Sequence, residues 1–270
     1  RRQMKRIWVC GDIHGSFKPI RDFELRNKTK YSFSRETDAI ILLGDAGLNF
    51  FFNYRDINVK KKLEKYPFTY FIIRGNHEER PSICAEKAPN EWHKERFWEN
   101  EVWVENDYPH IKYAMDDVSF YQIKVDSTIY KTLVLPGAYS VDKYKRLSSG
   151  WSWFENEQLS EKEKENGKKL LDKEHWQCDL VLSHTCPIIF EPTDLFLSVV
   201  DQSTVDKSME RYLGEIERKL DYKAHLWGHY HQFRDYPRTD GKKRLMLFND
   251  ALIQLNEYIE NSNDSVVIKY

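Results

Sequence analysis

Asp12 and His14 in GDIHG, Asp45 in GDAGLN, Asn76 and His77 in RGNHEER, His184 in SHT, and His229 and His231 in GHYHQF are the residues of this chain best suited to chemistry. Each cluster follows directly on a short apolar run. Carboxylate, carboxamide and imidazole groups are ligands for hard and borderline divalent cations. A carboxylate and an imidazole two positions apart just past a strand, as in Asp12 and His14, can turn toward one cation, and so can His229 and His231. Imidazole and carboxylate without cysteine suit reactive Mn, Fe or Zn rather than a closed structural zinc site. Two divalent ions outweigh Asp12, Asp45 and a bound hydroxide by about one positive charge, which attracts a phosphate. Taken singly, a histidine at a strand end is more often a hydrogen-bonded structural residue. The number of such ends argues for metal binding or catalysis, whereas His93, His110, His175 and His225 carry no such context and read as surface or hydrogen-bonded residues.

The elements that must position these residues are short runs of β-formers: RIWVC, AIILL, FTYFII, KTLVL, DLVL and AHLW. Runs of this length predict buried strands. Helix-like stretches lie between them at 16–26, 55–65, 160–173 and 203–220. Ser160 and Glu163 have capping-box spacing, and Val205, Met209, Leu213, Ile216 and Leu220 fall on one stripe. Lys60, Lys61 and Lys62 read as a solvated helix face. Alternating strands and helices predict an α/β architecture, in which ligands bind beyond the carboxyl ends of the strands. Several strand-like runs in succession at 102–135 point to a mixed sheet rather than a purely parallel one.

Composition narrows the class. Of 270 residues, 40% are hydrophobic, 31% charged and 14% aromatic, which excludes disordered, collagen-like and coiled-coil chains. The formal net charge of −1 gives no global field for nucleic acid or an anionic membrane. Cys10, Cys84, Cys178 and Cys186 lack CxxC spacing, so neither a disulfide framework nor a zinc ribbon is indicated and a cytoplasmic location is expected. No apolar run approaches the roughly 18 residues of a membrane span, and RRQMKRIWVC leads into a strand rather than a signal-peptide core. Without repeats, linkers or low-complexity tracts, 1–270 reads as a single domain, with no membrane and no obligate protein partner evident.

In order, GDxH, GD, GNHE, a lone His after a strand and GHxH resemble the calcineurin-like metallophosphoesterase superfamily, over residues 12–231. The resemblance implies a four-layer αββα sandwich of two mixed β-sheets with a dinuclear metal site at the strand ends. It implies Asp12, His14, Asp45 and His231 on one ion and Asp45, Asn76, His184 and His229 on the other, with Asp45 bridging. A metal-bridging hydroxide would attack a phosphomonoester or phosphodiester while His77 acts as general acid. The two divalent ions are expected to be Mn2+, with Fe, Zn or Ni as alternatives. The substrate is expected to be a nucleotide or another small phosphate ester. A nuclease acting on single-stranded nucleic acid is the first alternative, followed by a protein phosphatase or a non-catalytic binding module.

The second motif departs from the phosphoprotein phosphatases it resembles, which carry GDxxDRG. Here GDAGLN lacks both the Asp that orients the catalytic His and the Arg that holds phosphate. Asn49 is a candidate partner for the His77 ring and Arg74 a candidate phosphate contact. The final GHxH is closer to the nuclease and phosphodiesterase branches, which argues against a phosphoprotein substrate. Residues 137–153, GAYSVDKYKRLSSGWSW, resemble a stretch of bacterial and phage calcineurin-like phosphoesterases. This stretch is a candidate substrate loop in which Lys143 and Arg146 hold a second phosphate or a phosphodiester backbone and Trp151 or Trp153 stacks on a base. The plain alternative is a solvated loop.

Overall fold

Branched and aromatic side chains at successive positions favour a pleated backbone covered on both faces, and the motif-bearing runs form such strands. The structure is a computed structural model and describes residues 4–261 and 267–269. In chain order its elements begin with β1 (Arg6–Cys10), α1 (Lys18–Tyr31), β2 (Asp38–Leu42), α2 (Tyr54–Leu63), β3 (Thr69–Ile72), α3 (Pro81–Lys87), β4 (Trp92–Phe97), β5 (Asn100–Glu105), β6 (Ile111–Tyr113), β7 (Ser119–Val125) and β8 (Thr128–Leu135). They continue with α4 (Lys143–Ser148), α5 (Glu161–Lys173), β9 (Leu180–Ser183), α6 (Ser208–Lys219), β10 (Ala224–Trp227), β11 (Arg234–Asp235), β12 (Lys243–Met246), β13 (Ala251–Gln254), α7 (Leu255–Glu260) and β14 (Val267–Lys269).

Two mixed sheets result, ordered β14-β13-β1-β2-β3-β6-β5-β4 and β11-β12-β10-β9-β8-β7. β1, β2, β3 and β6 are parallel at the centre of the first, and β8, β9, β10 and β12 at the centre of the second. The two-residue period of a strand then sorts side chains into layers. Ile7, Val9 and Ile41 point inward and meet Val134, Leu180, Leu182 and Leu226 of the facing sheet. Trp8, Ile40 and Leu42 point outward onto Ile20 and Phe23 of α1 and Val59 and Leu63 of α2. Leu133 and Val181 do the same against Leu171 of α5 and Met209, Leu213 and Ile216 of α6. Each such side chain contributes about 1.5–3 kcal/mol by leaving water. The expected αββα sandwich with two mixed sheets is thereby obtained.

The capping box of α5 forms as its spacing predicts: Ser160 Oγ accepts from the Glu163 N–H, and the Glu163 carboxylate accepts from the Ser160 N–H. The fourth helix starts later than its apolar stripe suggests. Asp201 accepts from both the N–H and the hydroxyl of Ser203, which closes a tight turn there, so α6 begins at Ser208 and Val205 lies outside it. Lys60 departs from the solvated face assigned to it. It is buried, with Nζ 2.5 Å from Glu105 Oε2 on β5. Among the described residues no helix is long and apolar enough to cross a membrane.

Strand register places the motifs on one level. Cys10 pairs with Leu42 and Leu42 with Ile72; in the other sheet Leu135 pairs with Ser183 and Ser183 with Trp227. The loops that follow these residues emerge along one edge of the sandwich, where His184 Nδ1 of the second sheet donates to the Leu43 carbonyl of the first at 2.7 Å.

Candidate metal centre

The chain turns sharply as it leaves each strand. His14, Asp45, His229 and His231 all adopt left-handed backbone angles, with φ of 47°, 49°, 72° and 54°. For non-glycine residues such angles cost about 1–3 kcal/mol each and persist only where the surroundings enforce them. Here the enforcing bonds are explicit. The His14 N–H donates to the Asp45 carbonyl at 2.8 Å. Asp45 Oδ1 accepts from the N–H groups of Asn76 and His77 at 2.7 and 2.8 Å, and Asp12 Oδ1 accepts from the His229 N–H at 2.9 Å. Two glycines make room for this: a Cβ on Gly75 would lie 2.1 Å from Asp45 Oδ1, and one on Gly44 would lie 2.1 Å from His184 Nδ1.

Two groups of ligand atoms converge as a result. Asp12, His14, Asp45 and His231 form one, and Asp45, His184 and His229 the other; within each, the atoms lie within 4.8 Å of one another. Asn76 joins the second through Oδ1, 2.9 Å from His184 Nε2. The residues fit divalent cations on two counts. Asp12 Oδ2 is buried and has no hydrogen-bond partner among the described residues, an arrangement that is costly for a carboxylate unless a cation meets it. His14 Nε2 and His231 Nε2 face each other at 2.8 Å and stand 3.8 and 3.4 Å from that same oxygen.

Outer contacts orient the ligands. A carbonyl can only accept, so His184 carries a proton on Nδ1 and turns Nε2 toward Asp45 Oδ1, 3.3 Å away. Asn76 Nδ2 donates to Ser140 Oγ at 3.1 Å, which aims Oδ1 at the site. Ser140 is itself tied to Glu157, through its N–H at 2.8 Å and through its hydroxyl. Ser140→Ala leaves that amide free to rotate and is expected to weaken metal binding roughly 10- to 100-fold, read by calorimetric titration of the metal-free protein.

Charge within the site is strongly coupled. Burial opposes ionisation of Asp45, yet the facing His184 and His77 hold its carboxyl well below the usual range. Burial would lower His184, but the Asp45 and Asp12 carboxylates push it up to about 10. His77 is carried up to about 9 against burial by Asp45 and Asp142. His229, half-buried beside His184, is pushed down to about 3 by loss of water and the neighbouring imidazole, and so stands neutral. A cation must displace the His184 proton, so metal uptake is expected to weaken in acid. The loss is about tenfold per pH unit for each proton displaced, checked by titration from about pH 6 to about pH 8 with proton release measured in parallel.

The remaining candidates separate. Arg74 is buried; its Nη1 donates to the Glu157 carbonyl at 2.6 Å, so it braces the 157 segment and does not open among the ligand atoms. Asn49 is buried with its side chain at Tyr113 and its carbonyl on the Glu79 N–H, turned away from His77. Lys143 Nζ lies 3.9 Å over the Trp153 ring, and Trp151 is exposed. Arg146 is fully buried and reaches His77 itself. Ser140, Asp142 and Glu157 complete the surroundings of Asn76 and His77 and were not singled out by sequence. The spacing of Asp142 and Arg146, four apart on α4, was the available signal.

A sandwich with this centre defines a metal-dependent hydrolase of phosphate esters. The chain belongs to the calcineurin-like phosphoesterase family, which it matches over residues 5–233. No curated protein sequence matches it. Among solved structures it is similar to GAP50, the anchor in the inner membrane complex of Plasmodium, at 12% identity and a TM-score of 0.50, over 100% of this chain and 76% of that one. The phosphopantetheinyl hydrolase of Mycobacterium tuberculosis aligns at 11% identity and a TM-score of 0.47, over 100% of this chain and 97% of that one. The 5'-nucleotidase of Candida albicans aligns at 12% and 0.46, over 93% of this chain and 47% of that one. The likeness to GAP50, at such identity, is one of fold alone.

Proposed function

We propose that the protein hydrolyses a small phosphate ester, with a nucleotide as the reference substrate, and that residues 1–270 act as one cytoplasmic domain with two Mn2+ ions. The observation that carries this reading is the pair of ligand groups sharing Asp45, with Asp12 Oδ2 buried and unpartnered between two imidazoles. Asp12, His14, Asp45 and His231 would hold one ion, and Asp45, Asn76, His184 and His229 the other. Ions held there acidify water and neutralise charge on phosphoryl oxygens.

The protein's own groups account for the rest. As the oxygen of water bonds to phosphorus, the ester P–O bond breaks and the alcohol oxygen departs with a proton. His77 is placed to donate it: Nδ1 faces the ligand cluster, 2.7 Å from Asp45 Oδ2, and the ring belongs to neither ligand group. The buried Phe50 ring, 5.5 Å from the imidazole, covers one side of it. Protein stripped with a chelator is expected to lose turnover of p-nitrophenyl phosphate and bis-p-nitrophenyl phosphate and to regain it with Mn2+. Unchanged turnover in chelator overturns the reading. A panel of nucleotides, cyclic nucleotides, phosphopeptides and oligonucleotides then separates monoesters from diesters.

A further inference from the structure

A phosphate ester held at the ligand cluster must lay its alcohol across the edge of the sandwich, so the side chains bordering the cluster decide which alcohols are held. Three segments border it, each fastened beside a ligand. Phe50, in the loop after β2, lies 5.5 Å from the His77 ring. Arg146 of α4 donates through Nη1 to the Asn76 carbonyl at 3.1 Å. Phe196, in the loop after β9, stacks at 6.4 Å on Tyr230, which stands between His229 and His231 in the chain.

The side chains next to these fastenings are apolar and open to water. Phe52 is 52% exposed, Leu147 beside Arg146 is 52% exposed, and Leu197 beside Phe196 is 67% exposed. Among the described residues, ten of the thirteen large apolar side chains that stand exposed fall in 52–54, 141–151 and 189–199. A lone exposed apolar residue is ordinary, but their concentration along one functional edge marks a surface that something covers.

Charge selects what covers the part beyond β9. Residues 186–206 contain no Lys or Arg, and they carry Glu191, Asp194, Asp201 and Asp206. A nucleic-acid strand needs a cationic track for its backbone, and a base needs partners for its polar edges. Leu197 and the 87% exposed Val199 supply neither. A hydrocarbon chain needs only apolar surface on which to leave water.

We propose that the substrate is an amphiphilic phosphate ester, whose aliphatic chain lies over Leu197 and Val199 while its phosphate meets the ligand cluster. The inference rests on the phosphoesterase reading above, and it sets an aliphatic ester ahead of the nucleotide taken there as reference.

The Mn2+-loaded protein tests it with two series, n-alkyl phosphates and p-nitrophenyl n-alkyl phosphates, from methyl to hexyl and below their micelle concentrations. In at least one series kcat/KM should rise about twofold per methylene, against about fourfold for full burial, so that hexyl exceeds methyl about 30-fold. The double variant Leu197→Ser, Val199→Ser should lower that ratio by about threefold or more. Leu25→Ser and Ile129→Ser, at exposed apolar positions outside the three segments, should keep it. Titration calorimetry with methylphosphonate and hexylphosphonate reads the same preference without turnover. An octyl ester turned over faster in phosphatidylcholine vesicles than dispersed upholds the proposal with a lipid surface as the source, and the reverse order upholds it with a free amphiphile.

A flat dependence on chain length overturns the proposal. Faster turnover of an oligonucleotide then assigns the edge to nucleic acid, and a dimer in sedimentation assigns it to a second copy of the chain. A ratio lowered by Leu147→Ser and not by the double variant also overturns it, because the chain then lies over α4. If no ester is turned over, the phosphoesterase reading fails, while the phosphonate titrations still decide where an aliphatic chain binds.

Discussion

Asp45→Asn is expected to empty the site of metal and to abolish turnover together. Asp45 is the residue shared by both ligand groups, and its carboxyl is held ionised by His184 and His77 despite full burial. Two-metal hydrolytic sites in general hold their cations about 3.5–4 Å apart. At such distances each pair of unit charges is worth on the order of 4 kcal/mol at an effective dielectric of 20, so losing one negative charge between two divalent ions is severe. Orientation makes the loss worse. The N–H groups of Asn76 and His77 both donate to Oδ1, so an asparagine must keep its carbonyl oxygen there. Its NH2 then replaces Oδ2 and presents donors where a cation needs a lone pair. Metal content after dialysis, measured by elemental analysis beside turnover of an aryl phosphate, checks this. A variant that retains two ions per chain removes Asp45 from the bridging role.

The ease of reading the candidate ligand cluster from sequence has a physical origin. Each candidate ligand sits within four residues of a strand end, where the turn geometry ties side-chain direction to chain position, so GDIHG, GDAGLN and GHYHQF carry the site almost by themselves. The four-layer fold was legible for the same reason, since RIWVC and AIILL have the composition of strands covered on both faces. Asp142 and Ser140 were not, because their partners are 65 and 64 residues away in sequence and their meeting depends on how the loop after β8 folds back over His77. Long-range closure of that kind leaves no periodic trace. Arg146 was singled out for its charge, but its buried place against an imidazole could not be read from an exposed-looking stretch such as DKYKR. Arg74 and Asn49 are placed in the opposite direction. Both lie beside true motif residues, yet the backbone turns them into the interior, onto the Glu157 carbonyl and the neighbourhood of Tyr113.

His77→Ala is expected to fail in a different way from Asp45→Asn. Truncation removes the ring's 2.7 Å contact to Asp45 Oδ2, but the His77 backbone N–H still holds Asp45 Oδ1, and His184 still faces the carboxylate. Arg146 keeps Asp142 and the Asn76 carbonyl as partners when the ring is gone. The ligand groups therefore survive, and both ions should stay bound. What disappears is the proton donor at the ligand cluster, which contributes roughly 10²- to 10⁴-fold to rate. A departing alkoxide is strongly basic and requires that proton, so kcat for an alkyl phosphate should fall by the full factor. p-Nitrophenolate departs readily as an anion, so the loss on its phosphate should be much smaller. Measuring kcat on both esters at matched metal content separates the roles. A variant that sheds its ions, or that loses the same factor on both esters, takes the general-acid role away from His77 and returns the ring to an architectural one.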